Sequence, residues 1–241
     1  MGRGENLLAA GVAVGALLLA GLAVFWIEPL GVLGALERVT PNLRYRVRTK
    51  RPLVALSFDD GPHPEYTPRV LEILERFGAK ATFFLIGERA RQHPDIVARI
   101  RRSGHEVGNH YFKNASVLLH STAEFAGNLE RTEKELGLAG GRKLFRPPGG
   151  VARPGQLRFA RSRGYECVLG CAYPHDPMRT PVWYMRWLVE KNLRPGTIVI
   201  LHDGISDPSR SLEALPHILA AGSERKLEFV SIGTLMEEAG E

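Results

Sequence analysis

Asp59 and Asp60 stand side by side where the apolar run LVALSF breaks off. Asn109 and His110 close HEVGNH, and Arg146 sits in FRPPGG. His175 and Asp176 follow Pro174, and His202 and Asp203 follow TIVIL. Carboxylates and imidazoles can take up and deliver protons, and a guanidinium can hold an anion in place. Each group alone also has a structural reading. Asp59-Asp60-Gly61 could be a turn or helix cap, His110 a core histidine, Arg146 half of an internal ion pair, and His202-Asp203 a loop cap. Their shared position, each at the end of a strand-like run, points instead to one site.

The elements that carry these residues alternate regularly. Strand-like runs cover 53–58, 80–86, 105–110, 143–146, 165–170, 197–201 and 227–232. Helical stretches lie between them at 66–77, 94–102, 121–136, 154–163, 181–192 and 209–221, with a short one last. Gly78 and Gly104 mark stops, Pro94 a first turn, and Ser121 with Glu124 a capping box. Strand–helix alternation implies parallel strands with crossover helices. The expected fold is α/β, a distorted barrel of seven or eight β/α units, with a doubly wound open sheet as the alternative. In a barrel, the carboxyl ends of the strands gather on one face, where catalytic residues collect.

Composition narrows the function classes. The 241 residues suffice for one good core. A net charge of +6 is too diffuse to argue for nucleic acid and suits an anionic envelope surface. Cys167 and Cys171 make no disulfide framework and read as free, buried thiols. From Leu7 to Ile27 runs an apolar stretch with no charged residue, long enough to span a bilayer. Residues 1–28 are therefore expected to form a single transmembrane anchor, 29–51 a basic tether, and 52–241 the domain. Counted directly, the basic residues after the span favour a cytoplasmic domain. They start well beyond the span, however, and can belong to the fold, so an extracytoplasmic, membrane-anchored domain is the expectation. Trp183, Tyr184, Trp187 and Leu188 have helical spacing and are expected to face the core, with a membrane- or sugar-facing patch as the alternative.

SFDDGP, GHEVGNH, FRPPGG and ILHDG, in this order, resemble the polysaccharide deacetylase family (the NodB homology domain, carbohydrate esterase family 4) from residue 53 to about 236. The resemblance implies removal of N-acetyl groups from an amino-sugar glycan, peptidoglycan or chitooligosaccharide-like, with one divalent metal ion. Zinc is expected first, with cobalt, manganese or nickel as alternatives. Carried onto this chain, Asp60, His110 and Asn114 correspond to the metal ligands. Asp59 corresponds to the base, His202 to the acid, Arg146 to the holder of the base, and Asp176 to the partner of the acid.

The chain departs from the pattern in four places. Asn114 stands where the family has a second histidine, and a neutral amide oxygen favours harder ions. Gly149, Gly170 and Pro177 stand where aromatics are usual, leaving Tyr173 and His175 as candidates to refill the cleft. A non-catalytic glycan-binding relic and a deacetylase or deformylase of a lipid-linked sugar are the alternatives to envelope-glycan deacetylation. The expected partners are the acetylated glycan and the membrane, not nucleic acid; the sequence leaves oligomeric state open.

Overall fold

A computed structural model describes residues 15, 18, 20–40, 43–138, 140–204 and 207–241. Seven strands form one parallel sheet: β1 (Leu53–Gly61), β2 (Thr82–Leu85), β3 (Glu106–Asn109), β4 (Lys143–Phe145), β5 (Tyr165–Cys167), β6 (Ile198–His202) and β7 (Glu228–Val230). Their order is β5-β4-β3-β2-β1-β6, and β7 pairs with the first residues of β1, Leu53–Ala55. The sheet curls into a distorted half-barrel. The chain after β5 returns to β6 through a parallel bridge between Ala172 and Val199.

Ten helices are described: α1 (Ala20–Ile27), α2 (Leu30–Val39), α3 (Tyr66–Arg76), α4 (Gly87–Gln92), α5 (Pro94–Arg102), α6 (Thr122–Leu136), α7 (Pro154–Ser162), α8 (Val182–Asn192), α9 (Ser209–Glu224) and α10 (Ile232–Glu238). The capping box at Ser121 and Glu124 is formed, and Gly137 ends α6 in the left-handed region at φ 57°.

All nine residues of β1 are buried, as in a strand covered on both faces. Its alternation separates two cores. Val54, Leu56 and Phe58 pack outward with the helices that cover the sheet. Leu53 and Ala55 point inward, toward Phe84, Leu144 and Ile198. Ile232, Leu235 and Met236 of α10 join that inner cluster. Period-two alternation therefore sends Ser57 and Asp59 inward at the upper end of the same strand.

Of three further expectations, the first and third need correction, and the second falls largely outside the described residues. Residues 29–51 are not a plain tether: α2 is helical, and the basic segment after it is tied to the domain. Arg44 bridges Val168, the Val47 amide donates to the Gly196 carbonyl at 3.0 Å, and the Val47 side chain is fully buried. Second, most of the apolar run 7–27 lies outside the described residues. Among the described residues no single helix is long and apolar enough to cross a membrane. α1 and α2 pass that test only as a pair, bent by 102°. Third, α8 buries Met185, Leu188, Val189 and Asn192, at i, i+3, i+4 and i+7. That face is rotated away from the expected stripe, so Trp183 is 70% exposed and Trp187 45% exposed. Cys167 and Cys171 are free and buried as expected, and burial raises their thiols to about 12 and about 11.

Candidate active site

The first two site residues share a backbone irregularity. β1 pairs with β2 through Asp59–Phe84 and Gly61–Leu85, so Asp60 is an extra residue on the β1 side. Its φ is +69°, a left-handed value that aspartate tolerates better than most residues. A regular strand would send adjacent side chains to opposite faces. Here the bulge brings both carboxylates to the same imidazole. His110 Nε2 lies 3.4 Å from Asp60 Oδ1 and 4.0 Å from Asp59 Oδ2.

His110 reaches this point from the end of β3, where its amide donates to the Leu85 carbonyl at 3.0 Å. Its Nδ1 lies 2.8 Å from the Arg146 carbonyl, an acceptor only, so Nδ1 carries the proton. With Nδ1 engaged by that carbonyl, Nε2 is the ring nitrogen turned toward the two aspartates. Burial opposes ionisation of Asp60. The His110 hydrogen bond and the charges of His110, His202 and Arg89 outweigh it and hold the carboxyl at about 2.

Arg146, 1% exposed, has no route to water and is held entirely by protein. Nη1 donates to Asp59 Oδ1 at 2.6 Å and to Ser57 Oγ at 2.8 Å. Nε donates to the Val168 carbonyl at 3.0 Å and Nη2 to the Leu169 carbonyl at 2.9 Å. The guanidinium also lies 4.1 Å over the Phe84 ring. A buried charge with four of its five N–H donors used is a rigid support, and it faces one oxygen of Asp59.

His202 comes from the end of β6, aligned with Asp59 in the β1–β6 register. Its Nδ1 lies 2.9 Å from Asp176 Oδ1, and its amide donates to Asp176 Oδ2 at 2.8 Å. Ser211 Oγ also donates to Oδ2, at 2.6 Å. Burial disfavours the imidazolium. Asp176, helped by Asp59 and Asp60, outweighs that and lifts His202 to about 9. Because Nδ1 is engaged by Asp176, Nε2 is the nitrogen free to exchange a proton with a ligand.

Asn114 stands beside Asp60, with its Nδ2 donating to Asp60 Oδ1 at 2.9 Å. In this orientation the amide presents a donor, and ligation through Oδ1 requires the amide to turn over. Asp60 and His110 fit a divalent ion, as one carboxylate and one correctly tautomerised imidazole. Among the described residues, no group of three or more His, Cys, Asp or Glu side chains is placed to hold a metal. Asn114 is the further polar side chain in contact with Asp60.

The predicted residues thus come together: Asp59, Asp60, His110, Asn114, Arg146, Asp176 and His202 form one connected cluster. His175 does not join it. It is buried and turned toward α1, with Nε2 donating to the Phe25 carbonyl at 3.0 Å. Tyr173 stays closer, its ring centroid 5.8 Å from that of His202. At Gly170, an added Cβ would meet Ile200 Cγ1 at 2.6 Å and the Ile198 carbonyl oxygen at 2.7 Å, so β6 leaves no room for a tryptophan.

Sequence reasoning missed a supporting layer. Asp203 is fully buried, with Oδ2 accepting from Thr67 Oγ1 at 2.5 Å and Oδ1 unpartnered. Burial, reinforced by Asp60, raises its carboxyl to about 7. Arg89, on the unforeseen helix α4, donates to the Asp60 carbonyl at 2.7 Å and also to the Gly204 carbonyl. Gly204 itself lies against Asp60, where an added Cβ would sit 2.0 Å from the carbonyl oxygen. LHDG hinted at Asp203 and Gly204; nothing in the local sequence marks Arg89.

A family model described as polysaccharide deacetylase matches residues 46–168. The chain is 34% identical over 209 residues to a peptidoglycan-N-acetylglucosamine deacetylase of Bacillus cereus, covering 82% of this chain and 94% of the relative. The crystal structure of the Bc1960 peptidoglycan N-acetylglucosamine deacetylase superposes with a TM-score of 0.78 at 28% identity, covering 83% of this chain and 96% of that one. The Bacillus anthracis protein BA3943, described as a CE4 family pseudoenzyme, superposes with a TM-score of 0.74 at 27% identity, covering 84% and 72%. A variant of BA3943 with restored enzymatic activity gives a TM-score of 0.74 at 29% identity, covering 84% and 74%. With the strand-end motifs assembled as they are in the half-barrel, these matches establish that the chain belongs to the polysaccharide deacetylase family, carbohydrate esterase family 4.

Proposed function

We propose that the protein hydrolyses N-acetyl groups on an amino-sugar glycan of the cell envelope, with peptidoglycan as the favoured polymer. One observation carries the reading. Two buried ion pairs, Arg146–Asp59 and Asp176–His202, hold a proton acceptor and a proton donor at neighbouring strand ends. A protein that only bound sugars would gain nothing from keeping both.

Asp59 is the base. Arg146 occupies its Oδ1 and leaves Oδ2 to accept a proton from the attacking water. The oxygen of that water forms a bond to the acetyl carbon. His202, held protonated by Asp176, then donates from Nε2 to the sugar nitrogen as the C–N bond breaks, releasing acetate and the free amine. Asp60 and His110, with Asn114 beside them, would hold a divalent ion, zinc or one of cobalt, manganese and nickel. Such an ion, when bound, polarises the acetyl carbonyl and acidifies water. On this reading the apolar run 7–27 anchors the chain in a single pass, with the domain outside the cytoplasm among its substrates.

A second reading, a glycan-binding protein without turnover, is favoured by Asn114 and by the likeness to a pseudoenzyme. Acetate release decides between them. The full chain, supplied with zinc, cobalt, manganese or nickel in turn, is incubated with isolated peptidoglycan and with N-acetylglucosamine oligomers; Asp59→Asn is the control. Release that disappears in Asp59→Asn supports the deacetylase. Glycan binding without release under any ion supports the second reading.

A further inference from the structure

The chain has three tryptophans, Trp26, Trp183 and Trp187, and all three gather around Tyr184. Their ring centroids lie 5.8, 6.0 and 5.7 Å from that of Tyr184. Trp183 and Trp187 are exposed, so the cluster is a surface feature.

The cluster is locked to the end of α1. The last carbonyls of a helix lack partners within it and must find donors elsewhere. At the end of α1 the domain supplies them. His175 Nε2 donates to the Phe25 carbonyl at 3.0 Å, and Tyr184 Oη to the Trp26 carbonyl at 2.5 Å. Lys191 Nζ donates to the Ile27 carbonyl, and Asn192 Nδ2 to the Glu28 carbonyl at 3.4 Å. In return, Glu28 Oε2 accepts from the Tyr173 amide at 2.7 Å. The end of α1 is therefore fixed against α8, and Lys191 ties the Ile27 carbonyl, where the apolar run stops, to the helix that carries the exposed tryptophans.

We propose that this face of the domain, the Trp183–Trp187 edge of α8 with helix α2, rests in the interfacial region of a lipid bilayer. The inference builds on the anchor reading above and extends it from the anchor to the domain itself. Three observations identify lipid as the occupant. The face continues an uncharged run of 21 residues, Leu7 to Ile27. Its exposed groups on α8 are Trp183 and Trp187 with two cations, Arg186, which pairs with Glu190, and Lys191, whose Nζ lies 5.4 Å from the Trp187 ring centroid. That is the chemistry of a membrane boundary, where ring faces meet acyl chains and polar edges meet headgroups. Third, α2 leaves α1 at 102° and exposes Val32, Leu36 and Val39 at i, i+4 and i+7. If α1 runs along the bilayer normal, α2 lies in the plane with an apolar stripe, the arrangement of an interfacial helix.

The three tryptophans make the test direct. The full chain is reconstituted into phosphatidylethanolamine–phosphatidylglycerol vesicles whose lipids carry bromine high on the acyl chain, and tryptophan emission is recorded. Three double variants each keep one emitter: Trp183→Phe with Trp187→Phe, Trp26→Phe with Trp187→Phe, and Trp26→Phe with Trp183→Phe. Quenching of Trp183 and of Trp187 comparable to that of Trp26 is the expected result. Quenching of Trp26 alone overturns the seated domain and leaves the anchor standing. Quenching of none overturns both. The unaltered chain guards against misfolded variants: the seated domain requires more quenching than one emitter of three can contribute, and less than that overturns it.

Discussion

The Asn114 side-chain amide donates to Asp60 Oδ1 at 2.9 Å. That contact occupies one lone pair of the carboxylate that best fits a metal ion and offers the ion a poor third donor. Asn114→His removes the donor and places an imidazole beside Asp60 and His110. Zinc binding is expected to tighten by about tenfold or more, roughly 1.4 kcal/mol. Titration calorimetry of both forms with zinc and manganese checks this, and equal affinities would place residue 114 outside the ion's reach.

Asp59 and Asp60 are expected to separate cleanly in their effects. Asp59→Asn keeps the metal donors and loses the base, so acetate release should fall by about 10²–10⁴-fold with bound metal unchanged. Asp60→Asn should lose the metal itself. Metal content and turnover are measured on the same preparations, and equal metal loss in both would overturn the division of roles.

Asp176→Asn tests the acid pair through pH. His202 is raised from 6.5 to about 9, with burial opposing the shift and Asp176 the main force behind it. A folded value above the unfolded one means that the pair stabilises the fold fully below pH 6.5 and loses this contribution as pH rises through about 9. Without metal, the stability gap between wild type and Asp176→Asn should therefore be widest near pH 6 and shrink by pH 9.5. Urea midpoints at the two pH values measure it. A gap independent of pH would show that Asp176 acts by packing alone.

Gly204→Ala should strike Asp60 without altering any titratable group. The new Cβ would fall 2.0 Å from the Asp60 carbonyl oxygen, so either loop must move. A loss of about 1–3 kcal/mol in stability is expected, with weakened metal binding. Gly127→Ala, inside α6 with nothing within 4 Å, is the control: it should leave metal binding unchanged and raise stability by about 0.5–1 kcal/mol. Unaltered metal affinity in Gly204→Ala would mean that the Asp60 backbone is free to adjust.

Much of this protein was legible in the sequence. Seven apolar runs alternating with helices determine a parallel sheet, because a parallel connection needs a crossover and each buried strand reads as a continuous apolar run. All seven strands formed within a few residues of their runs, and the polar groups at five strand ends met on one face. What only the tertiary structure decided is how those groups face one another. Alternation along β1 would have separated Asp59 from Asp60; the bulge at Asp60, supported by Arg89 and the close approach of Gly204, turns both toward His110. Arg89 was invisible because its role depends on a carbonyl 29 residues away. The exposure of Trp183 and Trp187 was equally hidden. Helical spacing marks a stripe, but which stripe of α8 is buried depends on where the sheet and the end of α1 press against it.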